Sequence, residues 1–152
     1  AGFTLVEMAI VAVVVGVVGA IGAPHMLALL RRGDLDEAVS TLVGELRAAR
    51  TQATSQGSAV VIGLNTSART VTMNIDRDGN GTYGSDEQSV VTISDSRGVS
   101  VTSTSTQGVF STQGAFTCSN GYWKINVLSE GAGQEFVYVF AGGQVERSKS
   151  AL

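Results

Sequence analysis

The chain has 152 residues, a length that suggests one domain with a modest core. It is 43% hydrophobic but only 15% charged, with 19 glycines and a single proline, a balance that excludes collagen and ordinary disorder. Ten basic against thirteen acidic residues argue against a strongly basic nucleic-acid binder, and one histidine with one cysteine, Cys118, exclude a disulfide framework and a cysteine–histidine metal cluster.

After Glu7 no formal charge occurs until Arg31, so Met8 to Leu30 form a 23-residue apolar stretch. About 20 residues of helix cross the hydrocarbon core of a bilayer, whereas a core helix in a small protein needs only one apolar face. A plain signal anchor is one reading. A cleaved secretory signal fits less well, since its apolar region of about 7–15 residues follows a basic segment, and here an acid sits inside the run. A carboxylate in a membrane segment costs about 2.5–3.5 kcal/mol on insertion scales, so Glu7 needs a reason. Its place in the first turns sets it beside unpaired N–H groups and the positive end of the helix dipole. The best further partner is a free α-amino group at the start of a neighbouring copy, which demands an assembly. Gly16, Gly19, Gly22 and Pro24 weaken the later part of the run, as a hinge or as sites of close helix packing. His25 follows with no acid or nucleophile near it in sequence and reads as an interfacial residue, not a catalyst.

The residues Gly2-Phe3-Thr4-Leu5-Val6-Glu7, then the apolar run and Pro24, resemble the N-terminal signature of type IV pilins and of the pseudopilins of type II secretion. The resemblance implies that a prepilin peptidase cuts between Gly2 and Phe3 and methylates Phe3. It implies that Glu7 pairs with a neighbour's terminal amine in the filament, and that the helix unwinds locally near Pro24. Ala1-Gly2 resemble the last two residues of a leader. Arg31-Arg32 would lie on the cytoplasmic side of an ordinary anchor by the charge rule. The family topology implies instead that the chain after the apolar run faces the periplasm.

From Leu35 the apolar residues Leu35, Val39, Leu42, Leu46, Ala49 and Ala53 recur at spacings of four and three, a helical stripe with Glu37, Arg47 and Arg50 between its positions. The helix is therefore expected to run from Phe3 to about Ser55, ended by Gln56-Gly57, with its apolar side covered by the rest of the chain. Beyond Gly57 the composition turns to β-branched residues, serine, threonine and glycine. Strands are expected at 59–64, 70–75, 89–93, 99–104, 122–128, 136–140 and 144–146. Tyr122, Lys124 and Asn126 alternate with Trp123, Ile125 and Val127, giving one wetted and one buried face. Trp123, Phe136, Tyr138 and Phe140 read as core or sheet surface.

Leu46 to Ala53, then Gly57 and Val60-Val61-Ile62, are similar to the helix-to-strand passage of GspH/FimT-type minor pilins. The chain lacks the C-terminal cysteine pair of many major pilins, which favours a minor subunit. The expected fold is α+β, a long N-terminal helix packed on an antiparallel β-sheet head. Its parts are a leader remnant (1–2), a transmembrane and filament-core helix (3–30), an amphipathic half (31–56) and a β-rich head (57–152).

Asp76 to Glu87 fit the twelve-residue calcium-loop pattern, with Asp76, Asp78 and Asn80 at positions 1, 3 and 5, Gly81 at 6, the Thr82 carbonyl at 7 and Glu87 at 12. A structural calcium is one reading and a glycine-rich hairpin loop the other, since the flanks read as strands and not as helices.

The function expected is a structural, minor subunit of a type IV pilus that primes or caps the filament. It would wait in the bacterial inner membrane with a periplasmic head, and its partners would be other pilins. The alternatives are a type II secretion pseudopilin or a DNA-binding minor pilin, for which the phosphate contacts would be Arg147 and Lys149. Six basic and eight acidic residues from Gly57 onward make DNA the weaker partner. An enzyme is the poorest fit: outside the apolar segment no histidine is present to act as base, and no nucleophile-elbow or phosphate-loop motif occurs.

Overall fold

The computed structural model describes residues 2, 4–78, 82–96 and 98–151, and of Pro24 only the backbone. One helix, α1 (Leu5–Gln56), runs 52 residues, about 78 Å at about 1.5 Å per residue. It starts at Thr4, whose extended backbone and hydroxyl cap the first turn, and stops at Gly57, which takes the left-handed conformation (φ 66°) that glycine adopts without a Cβ clash. The segment expected to hinge is unbroken helix. Nothing lies within 4 Å of a Cβ placed on Gly16, Gly19 or Gly22, so no neighbouring group in the protomer competes for the backbone there.

Nine strands follow: β1 (Val60–Asn65), β2 (Thr70–Ile75), β3 (Gln88–Thr92), β4 (Val99–Ser103), β5 (Gln107–Phe110), β6 (Phe116–Thr117), β7 (Tyr122–Ser129), β8 (Gly133–Phe140) and β9 (Val145–Ser148). They form two antiparallel sheets, one in the order β3-β2-β1-β5-β6 and one in the order β4-β7-β8-β9. Strands β5 and β6 were not expected. They are four and two residues long, and Gly108 and Gly114 read as loop punctuation. Gly108 is required by packing: a Cβ there would fall 2.2 Å from the Phe116 ring laid across it.

Both sheets lean on the C-terminal half of α1. The stripe Leu35, Val39, Leu42, Leu46, Ala49 and Ala53 is 0–5% exposed, and Ala38 and Val43 join it. Facing it are Val60 and Ile62 of β1, Phe110 of β5, Trp123, Ile125 and Val127 of β7, and Val137 and Val139 of β8 in one continuous core. The expected alternation in β7 is present, with Tyr122 and Leu128 outside and Trp123, Ile125 and Val127 inside. The Trp123 indole N–H donates to Ser103 Oγ at 2.5 Å and to the Ser105 carbonyl at 2.7 Å, so the largest core side chain leaves no donor unpaired.

Polar ties fix the head on the helix. Ser96 donates to Asp34 at 2.8 Å, Ser129 to the Arg31 carbonyl at 3.2 Å, and Arg50 to the Gly142 carbonyl at 3.4 Å. Arg69, with φ 56° at the end of the β1–β2 turn, donates to the Ser96 and Val99 carbonyls and so joins that hairpin to the start of β4. The N-terminal half of α1 touches none of this. Leu5 is 85% exposed, Val13 66% and Leu30 55%.

Truncating a stripe residue leaves a cavity under both sheets, whereas truncating an exposed one leaves none. Leu42→Ala is expected to destabilise the head by about 2–5 kcal/mol, and Val13→Ala to leave it unchanged. Denaturant unfolding of the micelle-bound chain, followed through the fluorescence of its single tryptophan, Trp123, measures both.

Candidate functional site

At the helix start, Glu7 occupies the third position after the cap, and two reciprocal hydrogen bonds hold it there. The Glu7 N–H donates to Thr4 Oγ1 at 3.3 Å, and the Thr4 N–H donates to Glu7 Oε2 at 3.5 Å. This capping box satisfies two orphan donors of the helix end and turns the carboxylate towards the positive end of the dipole. Both residues are exposed, and so are the large aliphatic side chains described from Met8 to Leu30. Sequence reasoning missed the role of Thr4, although the spacing Thr-x-x-Glu was its signal. Gly2 is exposed with open space about it, and Phe3 lies outside the described residues.

The second group of chemistry-bearing residues is the loop between β2 and β3. The carboxylate oxygens of Asp76, Asp78 and Glu87 come within 4.8 Å of one another. A hard cation with oxygen ligands at about 2.3–2.6 Å fits such a spacing. Asn80 lies outside the described residues, and Thr82 is exposed. Glu87 is buried, and backbone donors meet its carboxylate: Oε1 accepts from Arg77 at 2.7 Å and Asp78 at 3.3 Å, and Oε2 from Gly84 at 3.1 Å. These N–H groups, that of Gly84 first and that of Arg77 next, hold the carboxyl below its ordinary value of 4.5, against the opposing effects of burial and of Asp76. Sequence reasoning treated Glu87 only as a cation ligand. It is also the anchor that closes the loop on itself.

Arg147 and Lys149 lie at the end of β9 and just beyond it. The sequence suggested both as phosphate contacts, but the Arg147 guanidinium is engaged elsewhere. It pairs with Asp36 of α1 at 2.5 Å and with Glu135 of β8. Glu135 and Asp36 raise its pKa above the ordinary arginine value. The ion pair therefore ties β8 and β9 to the helix less than two turns beyond the apolar segment. Lys149 is exposed and forms no ion pair among the described residues.

A sequence profile of the family described as type II transport protein GspH matches residues 38–144, most of the chain. The chain belongs to the GspH family. The match covers the buried half of the helix and nearly all of the head. No curated protein matches this GspH chain in sequence. Among solved structures it is similar to the type IV minor pilin FimU of Pseudomonas aeruginosa (14% identity, 76% of this chain and 88% of that one, TM-score 0.61). It is also similar to the minor pseudopilin EpsH of the Vibrio cholerae type II secretion system (12% identity, 76% and 97%, TM-score 0.58). At such identities the likeness establishes the fold: a long helix with antiparallel sheets packed on one half.

The Glu87 anchor makes the GspH head sensitive to acid. Because the folded value is lowered, the stabilisation is complete above the ordinary value of 4.5 and is lost as pH falls through the folded value. With calcium chelated, Glu87→Gln is expected to melt below wild type at pH 7, and the two melting temperatures are expected to converge as pH drops below about 4. Thermal melts from pH 7 to pH 3 read the difference.

Proposed function

We propose that this GspH-family chain is a structural, minor subunit of a type IV pilus or of the related type II secretion pseudopilus. It would act by packing and not by chemistry. The observation that carries this reading is the division of one continuous helix. Its stripe from Leu35 to Ala53 is buried under the head, while the large apolar side chains from Leu5 to Leu30 are exposed, with a single acid, Glu7, near the start of the span. Such a surface needs lipid or other helices around it. Residues 5–30 extend about 39 Å at about 1.5 Å per residue, enough to span a hydrocarbon core of about 30 Å.

In this mechanism the prepilin peptidase cuts between Gly2 and Phe3 and methylates Phe3. The helix waits in the inner membrane with the head in the periplasm. During assembly Glu7 exchanges its bond to the Thr4 N–H for a neighbour's terminal ammonium, an attraction that the low dielectric of the membrane strengthens. Gly16, Gly19 and Gly22 allow neighbouring helices to approach closely, and Pro24, which has no N–H to donate, supplies the place where the helix can open once packed. The subunit primes or caps the filament, and other pilins are its partners. A structural calcium in the Asp76–Glu87 loop is a secondary proposal, supported by the spacing of the three carboxylates.

In cells, Glu7→Ala is expected to lower the output of one machine, scored separately as surface pili, secretion and DNA uptake, by about tenfold or more, with Ala12→Leu near wild type. Unchanged outputs throughout would overturn the charge-pairing mechanism. Calcium is expected to raise the melting temperature of the wild-type chain but not of Asp76→Asn/Asp78→Asn. Equal curves with calcium and with chelator would remove the ion from the account.

A further inference from the structure

Where the apolar helix ends, the structure forms a groove that the assembly mechanism does not use. Its volume is about 450 Å3, and it lies between α1 and the β8–β9 end of the head, lined among others by Arg32, Asp36, Gln134, Glu135, Arg147 and Lys149. The charges in it are already sorted. Asp36 and Glu135 are both committed to Arg147. Arg32 and Lys149 are exposed and form no ion pair among the described residues, so two cations remain at the rim with no carboxylate assigned to them.

The height of the groove follows from the helix. Glu7 and Arg32 are 25 residues apart, about 37 Å along the axis at about 1.5 Å per residue. That exceeds a hydrocarbon core of about 30 Å by about 7 Å, roughly the depth of one headgroup layer, since the two layers together bring the bilayer to about 40–45 Å. With Glu7 at one hydrocarbon boundary, Arg32 therefore stands at the outer edge of the headgroup layer beyond the other, within reach of the phosphates through its long side chain. The head reaches the same height. A Cβ on Gly131, in the β7–β8 turn, would lie 2.6 Å from Arg31 Nη1, and Ser129 donates to the Arg31 carbonyl. Successive residues of a helix point about 100° apart, so Arg31 serves that turn while Arg32 opens on the groove.

We propose that this groove binds the phosphate of an anionic phospholipid headgroup, held by Arg32 and Lys149, and so seats the head on the membrane surface before assembly. The chemistry recognised is a phosphate ester against two flexible cations, one on the helix and one beyond β9, across a groove whose two acids are both paired with Arg147 and whose three cations outnumber them by one. A second phosphate source is free phosphate in solution. DNA is a poorer match, since the groove sits at the bilayer surface and the head as a whole is acidic. The inference rests on the membrane-anchored reading above.

The test uses the full chain in nanodiscs of phosphatidylcholine alone or with phosphatidylglycerol, with thermal unfolding read through Trp123. Co-elution with the discs reports the anchor separately, and a chain that stays out of both kinds of disc overturns anchor and groove together. Phosphatidylglycerol is expected to raise the melting temperature by about 2–4 °C, a rise lost in Arg32→Gln/Lys149→Gln. Arg47→Gln/Lys124→Gln, which removes the same net charge elsewhere, is expected to keep it. No rise in anchored wild type, or an equal rise in both double variants, overturns the site. A rise produced by inorganic phosphate or a short DNA duplex in phosphatidylcholine discs, and not enlarged by phosphatidylglycerol, overturns the headgroup assignment.

Discussion

The burial of one stripe on one helix, Leu35 to Ala53, is the interaction on which the rest of the protein depends. A 52-residue helix has no tertiary reason to persist in water over its whole length, and here only its second half receives one. The two sheets share no long common edge. They form one domain because each sends its inner face against the same row of helical side chains. Once that row is covered, the head has a core, and the first half of the helix is left with an apolar surface that only lipid or other helices can satisfy.

This division explains where the polar ties fall. Ser129, Ser96 and Arg147 fasten the head to helix positions 31, 34 and 36, just past the point where exposed apolar residues give way to the buried stripe. A head able to pivot there would uncover the stripe from its lower end. The Arg147 pair with Asp36 and Glu135 is more useful as a fastener than as a source of stability, because desolvation offsets much of the Coulomb gain of a partly buried ion pair.

Glu7 and Glu87 are both held by backbone N–H groups, but to very different degrees. Glu87 accepts from backbone N–H groups that favour its charged form, and its loop is organised by it. Glu7 has its own helix end and the Thr4 N–H at 3.5 Å, a long bond and an incomplete set of partners. A carboxylate so weakly committed can be transferred to a better partner, whereas Glu87 cannot leave without opening its loop.

Much of this was legible in the sequence because it depends on period and on short-range spacing. The four-and-three recurrence from Leu35 to Ala53 marked the buried stripe residue by residue, the uncharged run before Arg31 marked the exposed half, and the alternation in β7 marked its two faces. Five of the seven expected strands fell within about a residue of their place at both ends, while β8 began earlier and β9 ran later than expected. What the sequence left open was everything that needs two distant segments to meet. The division into two sheets, the short strands β5 and β6 held by Phe116 over Gly108, and the capture of Arg147 by Asp36 across 111 residues have no local period to reveal them. Charges and apolar faces are properties of the chain and can be read along it. Which charge is spent on which partner is decided only when the fold brings them together.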